Sequence, residues 1–232
     1  MKKSRRWRNG ATVRSALSKL ASQRRHFDTA GKQVITACAG SIFPADVYFM
    51  ATCNRALQNF DAFQLTMKAD FFSTSMILLR VQLDSVLRCY GLLQTTDPHD
   101  VATQVMNEVK LSKIKDKHGK PMTDAYLVDL FSSISDANKA IKHVYSLSSG
   151  YVHLSNAAIG NLLSKAKPTD AGQHGFYIGA GEPEVPTKAK LELVQAFNAV
   201  TNVIFQIAAE WAKTRGTFGN DDDLIAKYGP KA

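Results

Sequence analysis

Cysteine is scarce in this 232-residue chain. The three residues, Cys38, Cys53 and Cys89, are widely spaced and form no CxxC pair. An odd, scattered set argues against a disulfide framework or a zinc knot and points to a reducing compartment. There is no GxGxxG or GxxxxGK[ST] loop, and no HExxH, GxSxG or DxDxDG segment. The signatures of nucleotide-loop enzymes, zinc hydrolases, serine hydrolases and EF-hands are therefore missing. The six histidines, at positions 26, 99, 118, 143, 153 and 174, have no metal-ligand spacing with cysteines or acids. Neither a metal nor a cofactor is expected. No unbroken apolar run approaches the ~20 residues of a membrane span, and the densest is interrupted by Arg80 and Asp84. The expectation is a cytoplasmic protein with no membrane contact.

Acidic residues are absent from the first 25 positions, which hold Lys2, Lys3, Arg5, Arg6, Arg8, Arg14, Lys19, Arg24 and Arg25. These are nine of the 29 basic residues. The other 20 match the 20 acidic ones, so the formal charge of +9 belongs to the N-terminal segment. Such an arm can follow phosphates without reading sequence. Its candidate nucleic-acid contacts are Lys2, Lys3, Arg5, Arg6, Arg8, Arg14, Arg24 and Arg25. Two other readings stay open: a solvated, disordered terminus, and an organelle presequence, which is also Arg-rich, Ser-containing and acid-poor. SRRWR is not an export signal, because no apolar stretch follows it.

β signals are almost absent too, and helical periods fill the chain. Residues 1–10 read as disordered, and Val13, Leu17 and Leu20 start a basic amphipathic helix over about 11–37. Pro44 opens a helix to about 69 in which Phe49, Cys53, Ala56, Phe60, Phe63 and Met67 step 4-3-4-3-4, an a/d stripe for antiparallel packing. The stretch 70–93 is apolar nearly all round, the mark of a helix at the centre of a bundle. Asp97-Pro98 reads as N-cap and first helical residue of a short helix to about 112, and LSKIKDKHGKP as a basic turn. Thr123 caps a helix to Phe131, and Asp136 opens another that runs toward SLSSGYVHLS. A short helix follows from Ser155. Residues 168–187, with four glycines and three prolines, form one long irregular loop in which Phe176–Ile178 is a candidate strand. In the last long helix, about 188–214, Leu193, Phe197, Val200, Ile204, Ile207 and Trp211 repeat the 4-3-4-3-4 stripe. The expected architecture is all-α, an antiparallel helical bundle over 41–214, preceded by a basic arm (1–40) and followed by a mobile tail (215–232).

Two features can carry chemistry. Arg80 and Asp84 lie one turn apart inside the central helix, where buried charges must be paired. Tyr145, Ser149 and His153 are spaced by four and share a face if their helix persists. Histidine moves protons near neutral pH, and arginine binds phosphate bidentately. Together they suffice for metal-free RNA cleavage: His153 as acid or base, Arg80 stabilising the phosphorane, the ribose 2′-OH as nucleophile, and Tyr145, Asp84 and Ser149 as orienting groups. The alternative is a satisfied polar network that locks helix register in a non-catalytic interaction module.

LLRVQLDSVLRCYGLL, followed about sixty residues later by YSLSSGYVHLS, resembles a group of bacterial helical proteins. These carry an LR-x3-acid helix, a later Tyr…Ser…Val-His-x-Ser segment, a loop and a final long helix. Their layout is similar to HEPN (higher eukaryote and prokaryote nucleotide-binding) domains and to abortive-infection proteins. The resemblance covers roughly residues 50–212. It implies a HEPN-like antiparallel bundle, a homodimer, and a place in toxin–antitoxin or phage-defence loci. RNA is then the target, and a cognate antitoxin or defence-system protein the partner. HEPN ribonucleases use an arginine followed four to six residues later by histidine. Here no arginine lies within ten residues before His153, so Arg80 would supply that group from another helix.

Overall fold

The structure, a computed structural model, describes residues 3–153, 155–163, 166–168, 174–175, 179 and 181–229. Its helices are α1 (Lys3–Ala21), α2 (Arg25–Ala37), α3 (Pro44–Lys68), α4 (Phe72–Leu93), α5 (Pro98–Met106), α6 (Asp124–Ser132), α7 (Lys139–Val152), α8 (Asn156–Leu163), α9 (Thr187–Thr214) and α10 (Asp221–Tyr228). Two-residue strands β1 (Lys167–Pro168) and β2 (His174–Gly175) pair antiparallel, with Lys167 opposite Gly175. The chain is all-α in class, as its helical apolar spacing indicates. The candidate strand 176–178 lies outside the described residues.

The two 4-3-4-3-4 stripes meet. Phe49 stacks on Trp211 with centroids 4.8 Å apart, and Phe63 stacks on Phe197 at 3.8 Å. Early residues of α3 thus face late residues of α9, so these two helices run antiparallel. α4 packs against both and is also covered by α6 and α7, which is why its apolar residues need no single stripe. Met76, Leu79, Leu83, Val86, Leu87 and Leu92 are all buried. A polar bridge crosses this core. Gln82 Oε1 accepts from Asn59 Nδ2 at 2.8 Å, and Gln82 Nε2 donates to Thr201 Oγ1 at 3.0 Å. Sliding any of the three helices would leave a buried amide unsatisfied, so the bridge fixes register. By length and composition residues 187–218 could cross a membrane, but the stripe of α9 from Leu193 to Trp211 lies in this core.

Several boundaries differ from those expected. The first helix starts at Lys3 rather than near residue 11. From Val13 onward the N-terminal segment belongs to the bundle instead of projecting as an arm. Leu17, Leu20, Phe27, Ala30 and Val34 are buried, and α1 and α2 lie along α9. The reason is an apolar 3-4 step that continues through 27, 30 and 34. The 215–232 segment is likewise held rather than loose up to Tyr228. Arg215 Nε reaches Asp46 Oδ1 at 3.0 Å, Leu224 is buried, and Lys227 Nζ meets Asp97 Oδ2 at 2.6 Å. The caps of α5 and α6 stand where expected: Asp97 Oδ1 accepts from Asp100 N at 2.9 Å, and Thr123 Oγ from Tyr126 N at 3.3 Å. α5 stops at Met106, short of 112, and Glu108 just beyond it takes a positive φ of 66°.

Candidate functional site

Arg80 projects from the middle of α4 toward α6 and α7. Each of its three guanidinium nitrogens has an acceptor. Nε donates to Ser149 Oγ at 3.3 Å, Nη1 to Asp84 Oδ1 at 3.3 Å, and Nη2 to Asp124 Oδ2 at 2.9 Å. The flat face of the same group lies over the Tyr145 ring, with Cζ 4.4 Å from its centroid. Four sequence-predicted residues, Arg80, Asp84, Tyr145 and Ser149, are therefore brought together by α4 and α7. The i, i+4 spacing of Tyr145 and Ser149 puts both on the face of α7 that meets α4.

His153 does not share that face. α7 ends at Val152, and His153 takes extended backbone, φ −100° and ψ 148°. Its N–H still reaches Ser149 O at 3.3 Å, but its side chain is exposed. Among the described residues no side-chain hydrogen bond or ion pair joins it to Arg80, Tyr145 or Ser149. The expected line of Tyr145, Ser149 and His153 required a helix running through 153. Helical backbone stops one residue short of it.

Asp84 is a second hub. Arg88, one turn along α4, places Nε 2.8 Å from Oδ2, and Arg55 of α3 brings Nη2 to 3.6 Å. Burial pushes the Asp84 carboxyl up, but the hydrogen bond and charge of Arg88, with Arg80 and Arg55, together hold it below the usual carboxylate range. The cluster thus holds three arginines and two aspartates, net charge +1. Asp124, Arg88 and Arg55 went unnoticed in the sequence. Arg88 was legible as the i+4 partner of Asp84. Asp124 follows the Thr123 cap, an ordinary place for an acid, and nothing local ties it to Arg80.

The basic N-terminal residues divide three ways. Lys2 lies outside the described residues, and Lys3, Arg5, Arg6 and Arg8 fall in the first part of α1, whose side chains are not described. Arg14 and Arg25 are exposed, as is Lys19, and the opposite face of α1 packs Leu17 and Leu20 inward. Arg24 is taken up by Asp61 of α3, Nη2 to Oδ2 at 3.1 Å. The three thiols are buried, and burial pushes Cys38 and Cys53 up to about 11 and Cys89 to about 12, which disfavours a thiolate nucleophile. Among the described residues no three His, Cys, Asp or Glu side chains converge as metal ligands.

Compared with family models, with curated proteins and with solved structures, the chain finds no significant match in any of the three.

Proposed function

We propose that this protein is a non-catalytic helical bundle that binds nucleic acid, RNA foremost, along its basic N-terminal helix. One observation carries the reading. The acid-free helix α1 is docked on α9 by Leu17 and Leu20, while Arg14 and Lys19 face solvent, followed by Arg25 at the start of α2. Cations held on docked helices follow a phosphate chain at lower ordering cost than those on a loose arm. The Arg80 cluster supports the non-catalytic part. A guanidinium whose three nitrogens already donate to two carboxylates and a hydroxyl, with a ring on its face, would have to give up a partner to hold a phosphorane. Fluorescence anisotropy on a 30-nucleotide single-stranded RNA tests the reading. Replacing Arg14, Lys19 and Arg25 by Gln should weaken binding and flatten the log Kd–log salt slope by about 2, at ~0.7 per lost contact. An unchanged slope contradicts it.

Metal-independent RNA cleavage is the second reading, favoured by the convergence of Arg80, Asp84, Tyr145 and Ser149 with His153 just past the end of α7. It requires Arg80 to release a carboxylate and His153 to turn toward it. Cleavage without added metal, lost in a folded His153→Ala variant, would select it. A homodimer fits either reading. Leu147 and Val152 of α7 and Ile159 and Leu163 of α8 are 44–56% exposed, four apolar side chains on two consecutive helices. Light scattering should give twice the 25.5 kDa chain mass, reverting to one chain in Leu163→Glu.

A further inference from the structure

Between α5 and α6, residues 110–120 hold Lys110, Lys113, Lys115, Lys117, His118 and Lys120, with one acid, Asp116. All six basic side chains are exposed, and among the described residues none forms an ion pair. The single acid is turned inward. Asp116 is 6% exposed, and its Oδ1 accepts from the backbone N–H of His118 at 2.9 Å and of Lys120 at 2.8 Å. Its Oδ2 accepts from Tyr126 OH at 2.6 Å. Burial pushes this carboxyl up, yet the three donors together hold it below the usual range.

The backbone is fixed as firmly. Asp116 N donates to Lys120 O at 2.9 Å, Lys117 N to Gln94 O at 2.9 Å, and Met122 N to Ile114 O at 2.9 Å. Gly119 makes the turn at a φ of +78°, which an L side chain rarely adopts. Leu111, Ile114 and Met122 are buried pegs. Two of them close over Gly91, where a Cβ would stand 3.3 Å from Leu111 and 3.5 Å from Met122.

Ile114 and Asp116 are buried, while Lys113 at the end of a 3-10 turn (Leu111–Lys113), Lys115 bridged to Pro121, and Lys117 in the turn that follows are exposed. The cavity beside Lys113 and Lys115 is also lined by Asp97, Asp100 and Asp116, whose carboxylates repel the side chains of an acidic peptide. Exposed positive charge on a fixed loop is what remains to be recognised, and a phosphate backbone is its complement.

We propose that residues 110–120 form a preshaped phosphate-backbone contact for single-stranded nucleic acid, a second surface for the polymer assigned to the N-terminal helix. The proposal rests on that nucleic-acid reading. Its test uses the full chain and the same 30-nucleotide RNA, with melting curves on every variant. Lys113, Lys115 and Lys117 changed together to Gln should weaken binding about tenfold and flatten the salt slope by about 2, with the fold unchanged. Asp116→Asn removes one negative charge but takes away the acceptor of Tyr126 OH and weakens the one that holds the His118 and Lys120 N–H groups, so affinity should fall about threefold to tenfold. Tighter binding by Asp116→Asn, as bulk charge alone would give, overturns the proposal. So does a lysine variant that binds like wild type while the Arg14, Lys19 and Arg25 variant is impaired, which leaves the helix reading intact. The reverse pattern removes the helix reading and keeps the loop. No RNA binding by wild type, or displacement by poly-glutamate as readily as by RNA, overturns the loop proposal as written.

Discussion

Two groups of cations in this molecule are treated in opposite ways. Around Asp84, three arginines gather on carboxylates, and Arg80, the innermost, is left with 13% of its side chain exposed. In the loop at 110–120 the carboxylate is drawn inward onto backbone N–H groups and a tyrosine, and the lysines are left unshared. Both arrangements are rigid. The first uses charge to join α3, α4, α6 and α7, so its effect should be on stability. The second uses a buried acid to hold charge outside, so its effect should be on binding.

The comparison is sharpened by a third pair, more deeply buried than either. Asp46 is wholly buried and accepts from Arg215 Nε at 3.0 Å and from Trp211 Nε1 at 3.0 Å. Asp46→Ala should lower unfolding free energy by about 3–5 kcal/mol, because buried Arg215 keeps only the part-exposed Asp221 as counter-charge, and Trp211 Nε1 and Phe43 N–H lose their acceptor. Urea denaturation measures it, and a loss no larger than that of Arg80→Ala would break the ranking. Arg80→Ala should cost about 2 kcal/mol, since Asp84 keeps Arg88 and Arg55, with RNA affinity unchanged.

Acid should act on the paired regions and not on the loop lysines. Asp84 is held below its unfolded value, so its contribution is present above about pH 4 and is lost as pH falls through the folded value. His99 acts at higher pH. It is wholly buried between Phe43, Trp211 and Tyr228, and its Nδ1 accepts from Ala45 N–H at 3.3 Å. Burial lowers its pKa despite Asp46 and Asp97 nearby, and Arg215 and Lys227 lower it further. The unfolded chain therefore binds the extra proton below about pH 6.5, and stability should drop as pH falls from 7.5 to 5. A His99→Gln variant whose melting temperature falls just as steeply over that range would contradict this.

The smallest stability effects belong to the surface. The Gln triple variant at Lys113, Lys115 and Lys117 should stay within about 0.5 kcal/mol of wild type while losing RNA affinity. Arg24→Gln, which breaks an exposed pair with Asp61, should leave the melting curve unmoved.

Much of the fold was legible because it depends on periodicity. The stripes of α3 and α9, the all-round apolar α4 and the caps at Asp97 and Thr123 each follow from local spacing. The anchoring of α1 and α2 is masked in the sequence by their basic residues, although Phe27, Ala30 and Val34 continue an apolar step. Lys227 and Tyr228 meet Asp97 across 130 residues of chain, and nothing near Lys227 announces it. At the site, the Arg80–Asp84 pair was visible at i, i+4, and Tyr145 and Ser149 joined it. Asp124 was invisible because a long-range ion pair leaves no periodic trace. The His153 expectation turned on where α7 ends, and helix ends are the least determined part of a helical pattern. The basic turn at 110–120 was visible as composition, but the inward aim of Asp116 was not.

The most direct measurement is a titration of labelled single-stranded RNA without added metal, reading anisotropy and RNA integrity together, on wild type and His153→Ala. The account expects both proteins to bind with steep salt dependence and to leave the RNA intact. RNA cleaved by wild type and spared by a normally melting His153→Ala would contradict it and make the α7 terminus an active site.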